Sequence, residues 1–399
     1  MKKIIYTILI FAVCITFMAS CQSLAMTEEY NEALEIFLNN RYDEAFEAFN
    51  VLYERGDYRA TYHLGVCYML GLGTKTDEVK SAEMFTKAIE ICLKKAGKGD
   101  PVAQRQLGQM YQSGLGTEID YFEAAKWYEL AVASDDGLAE SNLAVMFLYG
   151  DGIQEDTSRA FELFTLGAKH DIGLAYNGLG DCYYYGYGTE VDMAKAFKYY
   201  SLASDKGILS AINSLADMYY YAQGTEENFK EASRLYLFAA ENGYVWSMLN
   251  LGEMYSTGKG LEQDLQKAFY WYSNAAESGN VLAMTALADM YSTGTGTQQD
   301  MSKVFYWYSK SAEKGNALAM NSLGDMFYEG TATEENHEEA FKWYLLSAQN
   351  GYKWGMYNAG VLLCDGDGTE KDEEAGYGWI SKAADEGVKA AINYIKNYF

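Results

Sequence analysis

Residues 283–315 read AMTALADMYSTGTGTQQDMSKVFYWYSKSAEKG, and residues 319–351, AMNSLGDMFYEGTATEENHEEAFKWYLLSAQNG, follow the same plan with other letters. In each, a small residue, a leucine four places on and an aromatic residue four further share one helical face. A glycine-rich stretch then interrupts the pattern, and an Asp or Asn follows. Both are preferred N-caps, because the side-chain oxygen accepts from the free N–H groups of a first helical turn. The plan therefore predicts a helix, a turn, a second helix and a second turn.

Working outward, the leucine recurs as an anchor at Leu64, Leu107, Leu143, Leu179, Leu215, Leu251, Leu287 and Leu323, with Ala359 in the ninth place. The first interval is 43 residues and every later one is 36. The seven extra residues, 94–100, stand beside Pro101 and predict one lengthened loop. Four before each anchor the residue is small, from Ala60 to Gly355, where two helices can approach closely. Thirteen after it comes Asp77, Asp120, Asp156, Asp192, Asn228, Asp264, Asp300, Asn336 or Asp372. Second helices carry apolar residues at helical spacing, such as Ala268, Trp271, Tyr272 and Ala275, and end near glycines such as Gly207, Gly243, Gly279 and Gly315. Some thirty residues cannot bury a core alone, so successive pairs must stack on one another.

The pattern A-x3-L-G-x-M-Y-x2-G-x-G-T-x2-D, then K-A-F-x-W-Y and A-A-x-x-G, resembles the Sel-one-like repeat family, the 36-residue relatives of tetratricopeptide repeats. The resemblance implies an all-α, right-handed α/α superhelical solenoid of helix-turn-helix repeats. It implies a scaffold for protein or peptide contacts and no reaction. The expected organisation is a helical hairpin at 28–58, nine repeats at 59–387 and a capping helix at 388–399.

Residues 1–20 stand apart as a signal peptide: Lys2 and Lys3, an apolar run Ile4 to Phe17, then Met18-Ala19-Ser20. With Cys21 these residues resemble a bacterial lipobox, which implies cleavage before Cys21, acylation of its sulfur, and a short linker over 21–27. Gln22 rather than Asp follows, which by the same resemblance implies the outer membrane. A secretory signal cleaved after Ala25 is the alternative, and would make the protein secreted.

The chain has 399 residues, a formal net charge of -25 and one proline. Such an anion repels a phosphate backbone, so no nucleic-acid partner is expected. A hydrophobic content of 49% is too high for a disordered acidic chain. The membrane is expected to be met through the lipid anchor only.

The chemistry-bearing residues form no recognisable catalytic set. His63, His170 and His337 fall in different repeats, and His337-Glu338-Glu339 lacks the second histidine of a helical zinc site. The Gly-Lys step at Gly258-Lys259 has no Ser or Thr after it, and Asp365-Gly366-Asp367-Gly368 lacks the glycine at position six of a calcium loop. No enzyme, cofactor or metal is expected. Cys67, Cys92, Cys182 and Cys364 read as buried free thiols.

One column does suggest a binding surface. Two after the anchor stand Asp181, Asp217, Glu253, Asp289 and Asp325 in five consecutive repeats, where other repeats have Val66, Gln109, Val145 and Val361. Tyr184, Tyr220 and Tyr328 (five after) and Asn177, Asn213 and Asn321 (two before) share that face by 3,4,3 spacing. On first helices these positions would line a concave groove suited to a basic or polar extended protein or peptide segment, or else be a solvated acidic face. A glycan or cell-wall module is the alternative reading, and a hydrolase of the secreted repeat-protein type a more remote one.

Overall fold

The computed structural model describes residues 27–398. The signal segment 1–20, Cys21 and Gln22 lie outside the described residues. Within them every regular element is an α-helix, and the fold is an all-α solenoid of helical repeats.

The helices fall into two compact units, 1–227 and 228–399. In the first, helices 27–38 and Tyr42–Glu54 precede the pairs Arg59–Leu70 and Glu78–Ala96 (repeat 1), Pro101–Ser113 and Tyr121–Val132 (repeat 2), Gly137–Tyr149 and Thr157–Lys169 (repeat 3), and Gly173–Tyr185 and Met193–Asp205 (repeat 4). Leu209–Tyr220, the first helix of repeat 5, completes it. The second unit begins with Phe229–Glu241, the second helix of repeat 5. It continues through Val245–Thr257 and Leu265–Glu277 (repeat 6), Val281–Thr293 and Met301–Glu313 (repeat 7), Ala317–Glu329 and His337–Gln349 (repeat 8), and Lys353–Asp365 and Glu373–Asp385 (repeat 9), then Lys389–Tyr398.

Second helices start where the caps stand. Asp192 accepts from Lys195 N–H at 3.0 Å, and Asp156 from Arg159 N–H at 2.9 Å. Such a cap contributes about 1 kcal/mol. The paired glycines do two different things. The first, as at Gly186 with φ 81°, ends the first helix in the left-handed conformation. The second lies against the preceding repeat: a Cβ on Gly188 would sit 2.2 Å from the Thr157 carbonyl oxygen. Glycine lets the turn lie this close to the start of its neighbour's second helix, and in repeat 8 Ala332 takes the place with the same left-handed backbone, φ 60°.

The anchors Leu107, Leu143, Leu179, Leu251, Leu287 and Leu323 are buried, as are the small residues four before them. First helices also touch across repeats, repeat 3 with repeat 4 in the first unit and repeat 8 with repeat 9 in the second. They form the inner row of each unit.

The seven extra residues of repeat 1 do not form a long loop. They prolong the second helix, Glu78–Ala96, to 19 residues. Ala88, Cys92 and Ala96 continue one buried stripe at a spacing of four, and the first breaker is Gly97. The four described cysteines are free and buried, and burial pushes the Cys67, Cys92 and Cys182 thiols up to about 12. They are core residues without thiolate character at neutral pH. His63 is also a core residue, stacked on Phe49 with ring centroids 4.6 Å apart. Burial drives its pKa down to about 3, so it is neutral.

Candidate functional site

The acid column sits on first helices, Asp181 and Asp217 in the first unit and Glu253, Asp289 and Asp325 in the second. Glu253 and Asp289 are exposed, while Asp181, Asp217 and Asp325 are half-buried. Four of these acids, Asp181, Asp217, Asp289 and Asp325, are braced from within their own repeats. Tyr200 donates its hydroxyl to Asp181 Oδ1 at 2.7 Å, Tyr344 donates to Asp325 Oδ1 at 2.7 Å, and Tyr308 donates to Asp289. One turn back, Asn177 donates to Asp181 at 3.2 Å, Asn213 to Asp217 at 2.9 Å and Asn321 to Asp325 at 3.1 Å.

The sequence carried a signal for this brace in a second column. Twenty-one after the anchor, repeats 4 to 8 have Tyr200, Tyr236, Tyr272, Tyr308 and Tyr344, the five repeats with an acid. Where valine replaces the acid, as at Val66, Val145 and Val361, the partner position is Phe85, Phe164 or Ile380, which has no hydroxyl. Repeat 2 pairs Gln109 with Tyr128, whose hydroxyl goes to Gln112 at 2.8 Å instead. Every acid is therefore matched by a tyrosine in its own repeat, and where valine replaces the acid the hydroxyl goes with it; repeat 2 alone keeps the hydroxyl and turns it to another acceptor.

Burial pushes the Asp181 carboxyl up to about 6 against the opposing Tyr200 bond, and raises the half-buried Asp325 for the same reason. Each braced carboxylate still has lone pairs beyond those used by Tyr and Asn. It is an acceptor fixed in place before any partner arrives.

Two of the three tyrosines singled out from the sequence reach the next repeat. Tyr184 donates to Gln223 at 2.8 Å and Tyr328 to Asp367 at 3.4 Å, each 39 residues on. Tyr220 packs edge-on against Tyr221, centroids 4.8 Å apart. Asp367 also holds His337 Nδ1 at 2.6 Å, and His337 stacks on Tyr328, so the near-calcium loop is engaged in a repeat-to-repeat contact.

Sequence reasoning missed a row of aromatic side chains six after the anchor. Tyr149, Tyr185 and Tyr221, in repeats 3 to 5 of the first unit, are 67%, 59% and 62% exposed. The Tyr185 hydroxyl is raised by burial first, and the charges of Asp181 and Asp217 add to it, which places the ring beside the acids. A periodicity of 36 in an apolar type at a position that faces solvent was the available clue.

Among the described residues one group brings three metal-ligating side chains together: Asp135, Glu140 and His170, whose ligand atoms all lie within 4.8 Å of one another. No helix of the described residues is long and apolar enough to cross a membrane.

Comparison with known proteins agrees with this architecture. The family model of the Sel1 repeat matches residues 59–90, 101–136, 137–171, 173–208, 209–244, 247–280, 281–316, 317–352 and 355–388. The chain is similar to a protective antigen of uropathogenic Escherichia coli strains with an SLR fold, at 31% identity and a TM-score of 0.60, covering 93% of this chain and 80% of that one. It is also similar to a Sel1 repeat protein from Oxalobacter formigenes, at 26% identity and a TM-score of 0.54, covering 61% of this chain and 96% of the other. A human IFIT1 dimer with m7Gppp-AAAA shares the fold alone, at 14% identity and a TM-score of 0.50 over 93% of each chain. No curated protein matches the chain significantly.

Proposed function

Since the chain belongs to the Sel1 repeat family, whose members are scaffolds for protein contacts, we propose that it is a non-catalytic, lipid-anchored scaffold of the bacterial cell envelope. Its partner is a protein or peptide segment, extended and basic or polar, held along the inner row of helices. The observation that carries this reading is the row Tyr149, Tyr185 and Tyr221 beside the braced acids Asp181 and Asp217. Tyrosine supplies large contact area with little rotamer entropy to lose, and fixed carboxylates select donors and cations. In the second unit Glu253, Asp289 and Asp325 offer the same acceptors.

The exposed tyrosines equally suit stacking on a sugar, which keeps a glycan or cell-wall ligand as the second reading. Salt separates the two, because screening weakens an acid–cation interface and leaves stacking largely unchanged.

Anchoring rests on the lipobox resemblance at Cys21, and the outer membrane on Gln22. Two acyl chains give stable attachment without a spanning helix. Cys21→Ala should abolish fatty-acid labelling and release the protein from membranes; persistent labelling would remove the anchor from the proposal. Partner capture is tested by cross-linking in intact cells, comparing the parent with a variant changed to serine at Tyr149, Tyr185 and Tyr221. The same adducts in equal yield from both would place binding elsewhere.

A further inference from the structure

The repeats serve as controls for one another, and repeats 3 and 4 differ instructively at three equivalent positions. At the head of repeat 4, Asp171, Tyr176 and Lys206 form a closed set: Tyr176 donates its hydroxyl to Asp171 at 3.1 Å, and Lys206 pairs with the other carboxylate oxygen. The equivalent residues of repeat 3 are Asp135, Glu140 and His170, each 36 residues earlier. The tyrosine donor has become an acid, and the permanent cation has become an imidazole.

His170 Nε2 lies 3.2 Å from Asp135 Oδ1 and 3.8 Å from Glu140 Oε2. The Asp135–His170 pair alone is the counterpart of the Asp171–Lys206 pair and calls for no ligand. Glu140 is different. Its side chain is 2% exposed, and Oε2 has no hydrogen-bond partner. A buried acceptor left unsatisfied in this way is unfavourable unless something meets it. In repeats 6 to 9 the same column holds Met248, Met284, Met320 and Met356, so the scaffold does not require an acid there.

Asp135 is as irregular as Glu140. Its φ is 64°, and apart from Asp171, at φ 59°, every other repeat has glycine in this column, from Gly56 and Gly99 to Gly387. An aspartate there accepts a left-handed backbone that glycine takes freely. Gly137 lets the third member approach, because a Cβ on it would lie 2.7 Å from His170 Cβ.

We propose that Asp135, Glu140 and His170 form a binding site for a divalent transition-metal ion of the zinc class. One imidazole nitrogen and two carboxylate oxygens suit such an ion, whereas calcium and magnesium prefer larger all-oxygen sets. At metal–ligand distances of about 2.0–2.1 Å, tetrahedral donors stand roughly 3.3 Å apart. The Asp135–His170 separation already fits, and a small torsion of Glu140 closes the rest. Asp135 is 83% exposed on its side chain, so the remaining coordination position opens to water. The ion balances two carboxylates whose nearest cationic group is a single imidazole, with Lys169 adding only a further, non-contacting charge. It also ties the turn after repeat 2 to both ends of repeat 3.

The test uses the full-length chain in detergent, stripped with chelator and titrated calorimetrically with zinc, with bound metal counted by mass spectrometry. One equivalent is expected. Asp135→Gly and Glu140→Met, which introduce the residues that repeats 6 to 9 carry at these positions, should each weaken binding by about tenfold or more. His337→Asn, at the other histidine–carboxylate contact, should leave it unchanged. Circular dichroism checks each fold, and if buried Glu140→Met misfolds, the exposed Asp135→Gly decides. No zinc retained by the parent, equal affinity in Asp135→Gly, or loss in His337→Asn instead would overturn the assignment.

Discussion

The Tyr200 hydroxyl donates to Asp181 Oδ1 at 2.7 Å, across the two helices of one repeat. Asp181 is thus a structural acceptor as well as a surface charge, and the pair must be changed together. Tyr200→Phe alone should destabilise the first unit by about 1–3 kcal/mol, since a half-buried carboxylate loses its donor. The double change Asp181→Val with Tyr200→Phe reproduces the pair Val145 and Phe164 of repeat 3, and should recover most of that loss. Urea unfolding of the single and double variants measures the coupling. Additive losses would mean that the bond contributes nothing.

Asp181 also sets a pH dependence. Burial raises its carboxyl to about 6, so the folded chain holds this proton more tightly than the unfolded one. The resulting stabilisation is full below the ordinary aspartate range and is lost as pH rises through about 6. Asp181→Asn should therefore stabilise the protein at pH 7.5, by on the order of 1 kcal/mol after allowing for partial exposure, and give no advantage at pH 4. Paired denaturation curves at the two pH values check the sign.

His63 acts in the opposite direction. Its pKa is depressed to about 3 by burial, with Arg105 adding to the shift, so the unfolded chain takes up the proton first as pH falls. Stability from this residue is present above about 6.5 and is lost toward about 3, roughly 2–4 kcal/mol in all. His63→Phe keeps an aromatic ring against Phe49 and should flatten the acid limb of a stability–pH curve. A parent and variant with the same acid limb would remove His63 from the account.

The two kinds of glycine should separate cleanly. Gly243 has φ 88° and open space where an added methyl group would stand, so Gly243→Ala should cost about 1 kcal/mol through backbone strain alone. Gly188→Ala adds a clash with the Thr157 carbonyl and should cost several times as much, or part repeat 3 from repeat 4. Thermal melts of both variants test the ranking.

Periodicity made the fold legible. A 36-residue step with caps at Asp77 through Asp372 fixes helix pairs, because the same local chemistry recurs nine times. The length of Glu78–Ala96 is not legible in the same way, because an insertion between repeats looks alike whether it extends a helix or a loop. At the candidate site, one column showed the acids, but only two columns compared show why they are there. Glu140 was less visible still, since its burial and its meeting with Asp135 and His170 depend on packing between turns 30 residues apart in sequence.

The central claim is that the inner row of helices holds a basic or polar partner through acids and tyrosines together. Its most direct test is the affinity of the cross-linked partner for the detergent-solubilised full chain across a salt series. The comparison is a variant with Asn at 181, 217, 289 and 325 and Gln at 253, which keeps an acceptor for each tyrosine and so should keep the fold. Single exposed pairs contribute under about 1 kcal/mol each, so the effect should emerge from several acting together. The account predicts affinity that falls with salt in the parent, and weaker, flatter binding in the variant. Equal affinity and equal salt slope in a folded variant would contradict it.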